Sequence, residues 1–257
     1  MFDLGLAGKT ALITGGSDGL GRATAHRLAA EGASVAICAR RADYLAEVAA
    51  EIARATGGTV LPIAADVSKA ADCAALVERT IAKFGGLDIL VNNAGASAAA
   101  SIMDTDDAAW QADFDLKVMA AVRLCRAVIP GMKARGGGAI VNAAIGGGKA
   151  PAARQLPTSL TRAAGLNLTK SLANEFAADN IRVNAVCIGL IKSAQWDRRA
   201  ANAPVDELYA QMAAKVPIGR VGEADEYADL VAFLCSARAA YITGTSVNID
   251  GGMCATL

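Results

Sequence analysis

Short runs of consecutive apolar residues alternate along this chain with longer stretches in which apolar residues return every three or four positions. The short runs are Lys9 to Ile13, Ser34 to Ala39, Val60 to Ala64, Ile89 to Val91, Ala139 to Asn142, Arg182 to Cys187 and Ser246 to Ile249. Unbroken apolar character over so few residues predicts strands buried on both faces, as in a parallel sheet. Helical spacing marks Leu20 to Glu31, Tyr44 to Thr56, Asp72 to Phe84, Asp106 to Ala134, Thr158 to Ala178 and Asp225 to Leu234. Gly32 and Gly57-Gly58 stop the first two helices, and Pro130 is expected to mark the end of the long fourth one. A loop-and-helix insertion is expected from Ile191 to Lys215. With right-handed crossovers, this alternation predicts a doubly wound α/β sandwich of about seven parallel strands. No linker composition and no repeat divides the chain, so residues 1–257 read as one domain.

Composition narrows the function. Hydrophobic residues make up 54% and the formal net charge is zero, which permits a large core and gives no bias toward nucleic acid or anionic membrane. No basic cluster interleaved with aromatics appears, which argues against a nucleic-acid partner. The N-terminal Met1-Phe2-Asp3-Leu4-Gly5 lacks the pattern of a signal peptide, and no apolar run is long enough to span a bilayer. The six cysteines are scattered and mostly embedded among Ala, Val, Ile and Leu, the pattern of buried, reduced thiols; a cytoplasmic protein is expected. A single histidine, His26, argues against a histidine-based metal site or a Ser-His-Asp triad, and no metal is expected.

Thr14-Gly15-Gly16-Ser17-Asp18-Gly19-Leu20-Gly21 joins the first strand to the first helix. Glycine lets the backbone turn tightly and approach a ligand, and the amides at a helix start face an anion. A pyrophosphate fits, which points to the dinucleotide-binding turn of a Rossmann unit. The glycines at 15, 19 and 21 read G-x-x-x-G-x-G rather than G-x-G-x-x-G, and glycine-rich turns also end strands for structural reasons alone.

Together with Asp66-Val67, Asn92-Asn93-Ala94-Gly95, Leu168 to Glu175, Ile181 to Val186 and Ile242 to Gly252, this turn makes essentially the whole chain resemble the short-chain dehydrogenase/reductase family. The resemblance is to the type that includes 3-oxoacyl-carrier-protein reductases. It implies a nicotinamide cofactor across the carboxyl ends of the strands, on Gly15, Ser17, Asp18, Gly19, Leu20 and Gly21. Asp66-Val67 would lie beside the adenine and Asn93-Ala94-Gly95 beside the ribose, with Arg162, Gly189 and Ile191 completing the contacts. Members that bind NAD place a carboxylate at the end of strand two. Here that end reads Cys38-Ala39-Arg40-Arg41, and guanidinium binds phosphate bidentately, so NADP is favoured over NAD. The competing reading is that Arg40 and Arg41 only cap a solvated strand end.

The same resemblance implies four catalytic positions: an Asn in the fourth helix, a Ser after strand five, and a Tyr and a Lys four apart. Counted outward from the matching motifs, they fall on Asp115, Ile145, Thr158 and Arg162, so all four differ. Tyr44, Tyr209, Tyr227 and Tyr241 lie elsewhere. An aliphatic hydroxyl is a far weaker acid than a phenol of pKa about 10. Arg162 does not deprotonate, and Ile145 has no proton to donate. The joint change at Asp115 and Arg162 suggests a buried ion pair between them, the alternative being that both face solvent. Lys149, Arg154 and Gln155 after strand five, and Ser193, Gln195 and Trp196 in the insertion, are the other polar candidates; Lys149 and Arg154 read either as anion ligands or as exposed loop charges.

Three functions remain open at this point. The first is an NADP-dependent oxidoreductase acting on a carbonyl or hydroxyl substrate through a non-standard site. The second is an NADP-binding pseudoenzyme, a sensor or silent subunit, and the third a non-redox lyase on the same scaffold. The family resemblance also implies a homotetramer in which Asp106–Ala134 and Thr158–Ala178 pack against a partner's helices, with Ala120, Ala121, Ala163 and Ala164 allowing close approach.

Overall fold

The computed structural model describes residues 3–193, 196 and 204–256. Seven parallel strands among them form one sheet: β1 (Thr10–Thr14), β2 (Ser34–Ala39), β3 (Val60–Ala64), β4 (Ile89–Asn92), β5 (Gly138–Ile145), β6 (Ile181–Ile188) and β7 (Ser246–Ile249). Their order is β3-β2-β1-β4-β5-β6-β7, so the winding reverses between β1 and β4. An open parallel sheet leaves its binding crevice at that reversal, outside the carboxyl ends of the strands.

Successive strand residues point to opposite faces, which explains the unbroken apolar runs. Ile13, Val35 and Ile37 feed one core, where they meet Leu28 of α1 (Gly19–Ala30), Val48 of α2 (Ala42–Thr56) and later Tyr227. Their neighbours Leu12, Ala36 and Cys38 feed the other core, against Leu76 of α3 (Ala70–Phe84) and the helices that follow β4 and β5. Each fully buried leucine or isoleucine contributes about 1.5–3 kcal/mol.

The long helical region after β4 departs from expectation. It consists of α4 (Asp107–Phe114), a single π-helical turn (Asp115–Met119) and α5 (Ala120–Ala134). Pro130 does not end it: the proline lies inside α5, where burial of Val128, Ile129 and Met132 carries the helix on. Gly136 and Gly137, both at positive φ, make the actual stop. β5 runs three residues past the predicted Asn142, because the Asn142 amide is internal. It accepts from Asn92 Nδ2 at 2.8 Å and donates to Thr169 Oγ1 at 2.9 Å.

Beyond β5 lie α6 (Thr158–Phe176), α7 (Val205–Ala213) in the insertion, and α8 (Ala224–Cys235), which packs on α1. Gln195 falls outside the described residues. His26 is exposed on α1. Every cysteine is free and only Cys254 is partly exposed; burial pushes the thiols of Cys38, Cys125 and Cys235 up to about 12.

Candidate active site

At the reversal of the sheet the ends of β1 and β4 are tied together. Thr14 Oγ1 accepts from the backbone N–H groups of Asn93 and Ala94, each at 2.9 Å, and Asn93 Nδ2 donates to Thr14 O at 3.0 Å. Gly15 turns the chain at φ +67, a conformation that L side chains resist. Any Cβ on Gly21 would collide with Gly15 O, so the first turn of α1 lies directly on the strand-to-helix turn. Asp18 caps α1 by accepting from Gly19 N, with Ser17 buried and Leu20 half-buried beside it. The result is a crevice floored by backbone, with the positive end of a helix dipole directed at it.

Arg40 and Arg41 follow β2 on the surface. The Arg41 guanidinium stacks 4.3 Å above the Tyr44 ring. Asp66 sits across from Arg40 after β3; hydrogen bonds from Ser68, aided by the Arg40 charge, hold its carboxyl below the usual carboxylate range. Val67 is buried behind it. On the opposite side Gly189 packs against Asp250, and Ile191 bridges to Gly222.

Below this crevice the floor is built from side chains. The π turn presents Lys117 inward, not Asp115. Lys117 Nζ bonds Asp113 Oδ1 at 2.5 Å, and the two side chains are 1% and 3% exposed. Asp113 Oδ2 accepts from Thr161 Oγ1 at 2.7 Å, and Lys117 Nζ donates to Thr158 Oγ1 at 3.0 Å. Thr158 Oγ1 also accepts from the backbone N–H of Ala98 at 2.9 Å. Burial lowers the Lys117 ammonium from its ordinary value, Asp113 opposes the shift and the nearby Arg162 charge adds to it.

Arg162 enters from the next turn of α6. Its Nη1 donates to Ala143 O at 2.6 Å, its Nη2 rests on the face of Gly95 where a Cβ would stand, and burial lowers its pKa. Its Nε has no partner among the described residues, and neither does Asn92 Oδ1. Both residues line a cavity of about 20 Å3 shared with Lys117, Asn142 and Thr161. That volume suits one water molecule. Ile145 ends β5, half-buried and outside the lining of that cavity.

The expected Asp115–Arg162 pair is therefore corrected. Asp115 is partly exposed and pairs with Arg123 at 3.2 Å, taking a further bond from Gln111. The reason is helical phase: residues 113 and 117 share a face as an i, i+4 pair, and residue 115 points away from both. The signal was present in the sequence, since Lys117 continues through Ala120, Ala121 and Leu124 along the buried stripe. Other candidates are engaged elsewhere. Lys149 is tied to β7 through Ser246 O and Asn248 Oδ1, and Arg154 pairs with Asp104 on the surface. Gln155 accepts from Ala152 N, while Ser193 N donates to the Tyr209 hydroxyl and Ser193 O accepts from Trp196 N.

A glycine-turned crevice at the switch point of a seven-stranded parallel sheet defines a Rossmann-type nucleotide-binding scaffold. Comparison with known proteins makes the class specific. The enoyl-(acyl carrier protein) reductase family model matches residues 15–254. Dehydrogenase/reductase SDR family member 4 of Oryctolagus cuniculus is 37% identical over 252 residues, covering 96% of this chain and 94% of that protein. The 3-oxoacyl-[acyl-carrier-protein] reductase FabG of Staphylococcus aureus is 36% identical, covering 95% and 98%. The crystal structure of L-sorbose reductase from Gluconobacter frateurii, complexed with NADPH and L-sorbose, superposes with a TM-score of 0.96 at 41% identity over the full length of both chains. The chain belongs to the short-chain dehydrogenase/reductase family.

Proposed function

We propose that this protein is an NADP(H)-dependent oxidoreductase acting on a carbonyl or hydroxyl substrate through a non-standard active site. The observation that carries the reading is the backbone crevice at the β1–β4 reversal, with two guanidiniums and no carboxylate at the end of β2. The residues suit the nucleotide: the start of α1 would take the pyrophosphate, Arg40 and Arg41 the ribose phosphate, and Asp66-Val67 the adenine edge. Arg162, lying on Gly95, would hold the nicotinamide ribose. When bound, the cofactor supplies or accepts the hydride. The NADPH complex of L-sorbose reductase supports both the nucleotide and a small polyol or ketose as the kind of substrate.

A second reading, a binding protein without turnover, is favoured by one observation: among the described residues the hydroxyls bonded to Lys117 and Asp113 are those of Thr158 and Thr161, not of a tyrosine. Fluorescence titration with NADPH and NADH, followed by an absorbance screen with L-sorbose and other ketoses, tests both. Tight NADPH binding with oxidation supports the enzyme, and binding without oxidation supports the silent protein. Lack of affinity for either nucleotide refutes both.

The buried free thiols suit a reducing compartment such as the cytoplasm, and no helix among the described residues is long and apolar enough to cross a membrane. Assembly as a homotetramer is supported by an apolar groove of about 470 Å3 between α5 and α6, lined by Val122, Ile129, Pro130, Leu168, Leu172 and Phe176. Ala120 and Ala121, expected at that contact, are buried inside the chain instead.

A further inference from the structure

We propose that Lys117 is the proton source of this site and acts on the substrate oxygen through the Thr158 hydroxyl. The inference rests on the oxidoreductase reading above and adds to it the group that replaces the missing phenol.

A threonine hydroxyl has two lone pairs and one hydrogen. Both lone pairs of Thr158 are taken, one by Lys117 Nζ at 3.0 Å and one by the backbone N–H of Ala98 at 2.9 Å. The hydroxyl is thereby fixed as a donor, and its hydrogen meets no acceptor among the described residues. It lies beside Lys117, which lines the cavity shared with Ala94 and Arg162, so the group that reaches it there is an acceptor such as a carbonyl oxygen.

Threonine alone is too weak an acid, which is why the ammonium behind it matters. Around Lys117 stand Asp113 on α4, Arg162 and Thr161 on α6, Asn92 at the end of β4 and Asn142 within β5. Asp113 fixes the ammonium in place, and the position of Asp113 is itself set by Thr161 at 2.7 Å. Burial and Arg162 both favour release of a proton from Lys117. Arg162 cannot serve in its place, because guanidinium stays protonated.

The step balances. With the nucleotide bound, the carbonyl carbon would take the hydride it supplies, and the π pair of the C=O bond would move to oxygen. That oxygen takes the Thr158 hydrogen as Thr158 Oγ1 takes one from Lys117 Nζ, so no free alkoxide forms on threonine. The products are the alcohol, NADP+ and a neutral Lys117 amine, which solvent reprotonates. Lys117 is a positioning and proton-supplying residue; Thr158 is the catalytic one.

The test combines nucleotide binding, a site-specific titration and a rate profile. NADPH affinity is first measured by fluorescence for the native protein, Thr158→Val, Lys117→Gln and the charge-neutral pair Asp113→Asn with Lys117→Gln. Loss of binding in the native protein overturns the oxidoreductase reading. Given binding, the protein carrying 13Cε-lysine is titrated by NMR with NADP+ present, the Lys117 signal being the one that Lys117→Arg removes. The proposal expects a midpoint below the ordinary 10.5 that moves in Thr158→Val. A midpoint at or above 10.5, or one indifferent to Thr158→Val, overturns it whether or not a substrate is in hand. With a ketose that turns over, Lys117→Gln and the charge-neutral pair should each lose about 10²–10⁴-fold in kcat and lose the alkaline limb of the pH profile. Native kcat with an unchanged profile in the charge-neutral pair overturns the proposal.

Discussion

The upper crevice and its floor are made by different means. The crevice is backbone: Gly15, Gly21 and Gly95 clear the space, and Thr14 and Asn93 tie the strand ends through main-chain groups. The floor is side chain, built from Lys117, Asp113, Thr158, Thr161 and Arg162. A backbone site changes only if the chain path changes, whereas a side-chain site is rebuilt one rotamer at a time. Lys117, Asp113, Thr161 and Thr158 are joined by hydrogen bonds into one set, so the positions of these side chains depend on one another.

The contrast can be broken hardest at Lys117. Lys117→Met strands Asp113 in a buried site, and equilibrium denaturation should show a loss of about 3–5 kcal/mol. Removing the carboxylate as well, with Asp113→Leu, should recover much of it; equal instability of single and double variants would contradict the buried pair. On the crevice side, Arg40→Ala should weaken NADPH by about 10–100-fold with little effect on NADH, as expected for loss of a charge-assisted bond of about 1.5–3 kcal/mol. Equal weakening of the two nucleotides would place Arg40 away from the ribose phosphate. Asp115→Ala, by comparison, removes a partly exposed pair with Arg123, and the denaturation midpoint should report about 1 kcal/mol or less.

The smallest expected effect is in pH. Lys117 has its folded pKa lowered from 10.5, so between its folded value and 10.5 the unfolded chain binds more protons than the folded one. Its unfavourable contribution to stability is therefore fully present below that window and relieved as pH rises through it. Denaturation of the native protein and of the Asp113→Leu, Lys117→Met pair should diverge in that direction, the native protein gaining on the variant as pH rises. A gain on acidification would reverse the assignment.

The fold was legible because alternate strand residues feed two cores, as Leu12 and Ile13 do, which forces unbroken apolar runs. Two departures have local causes. Pro130 looked like a stop, but tertiary burial on both sides outweighs one lost hydrogen bond. Asn142 looked like a strand end because its amide is polar, yet that amide is paired inside the sheet. The nucleotide crevice was visible in glycine spacing. Of the floor, motif counting named Thr158 and Arg162, which the fold brings to Lys117, and also Ile145, outside the cavity lining, and Asp115, two residues from the one that faces inward. Helical phase with the Asp113–Lys117 spacing distinguishes the two, and the π turn that aims Lys117 has no signature in composition.

The crystal structure of the protein with NADPH is the most direct test of a backbone nucleotide crevice above a Lys117–Thr158 floor. The account predicts pyrophosphate at the start of α1, the ribose phosphate on Arg40, and Lys117 Nζ still bonded to Thr158 Oγ1 beneath the nicotinamide. A crevice that takes no nucleotide, or a Lys117 swung out to solvent when the nucleotide is bound, would contradict it.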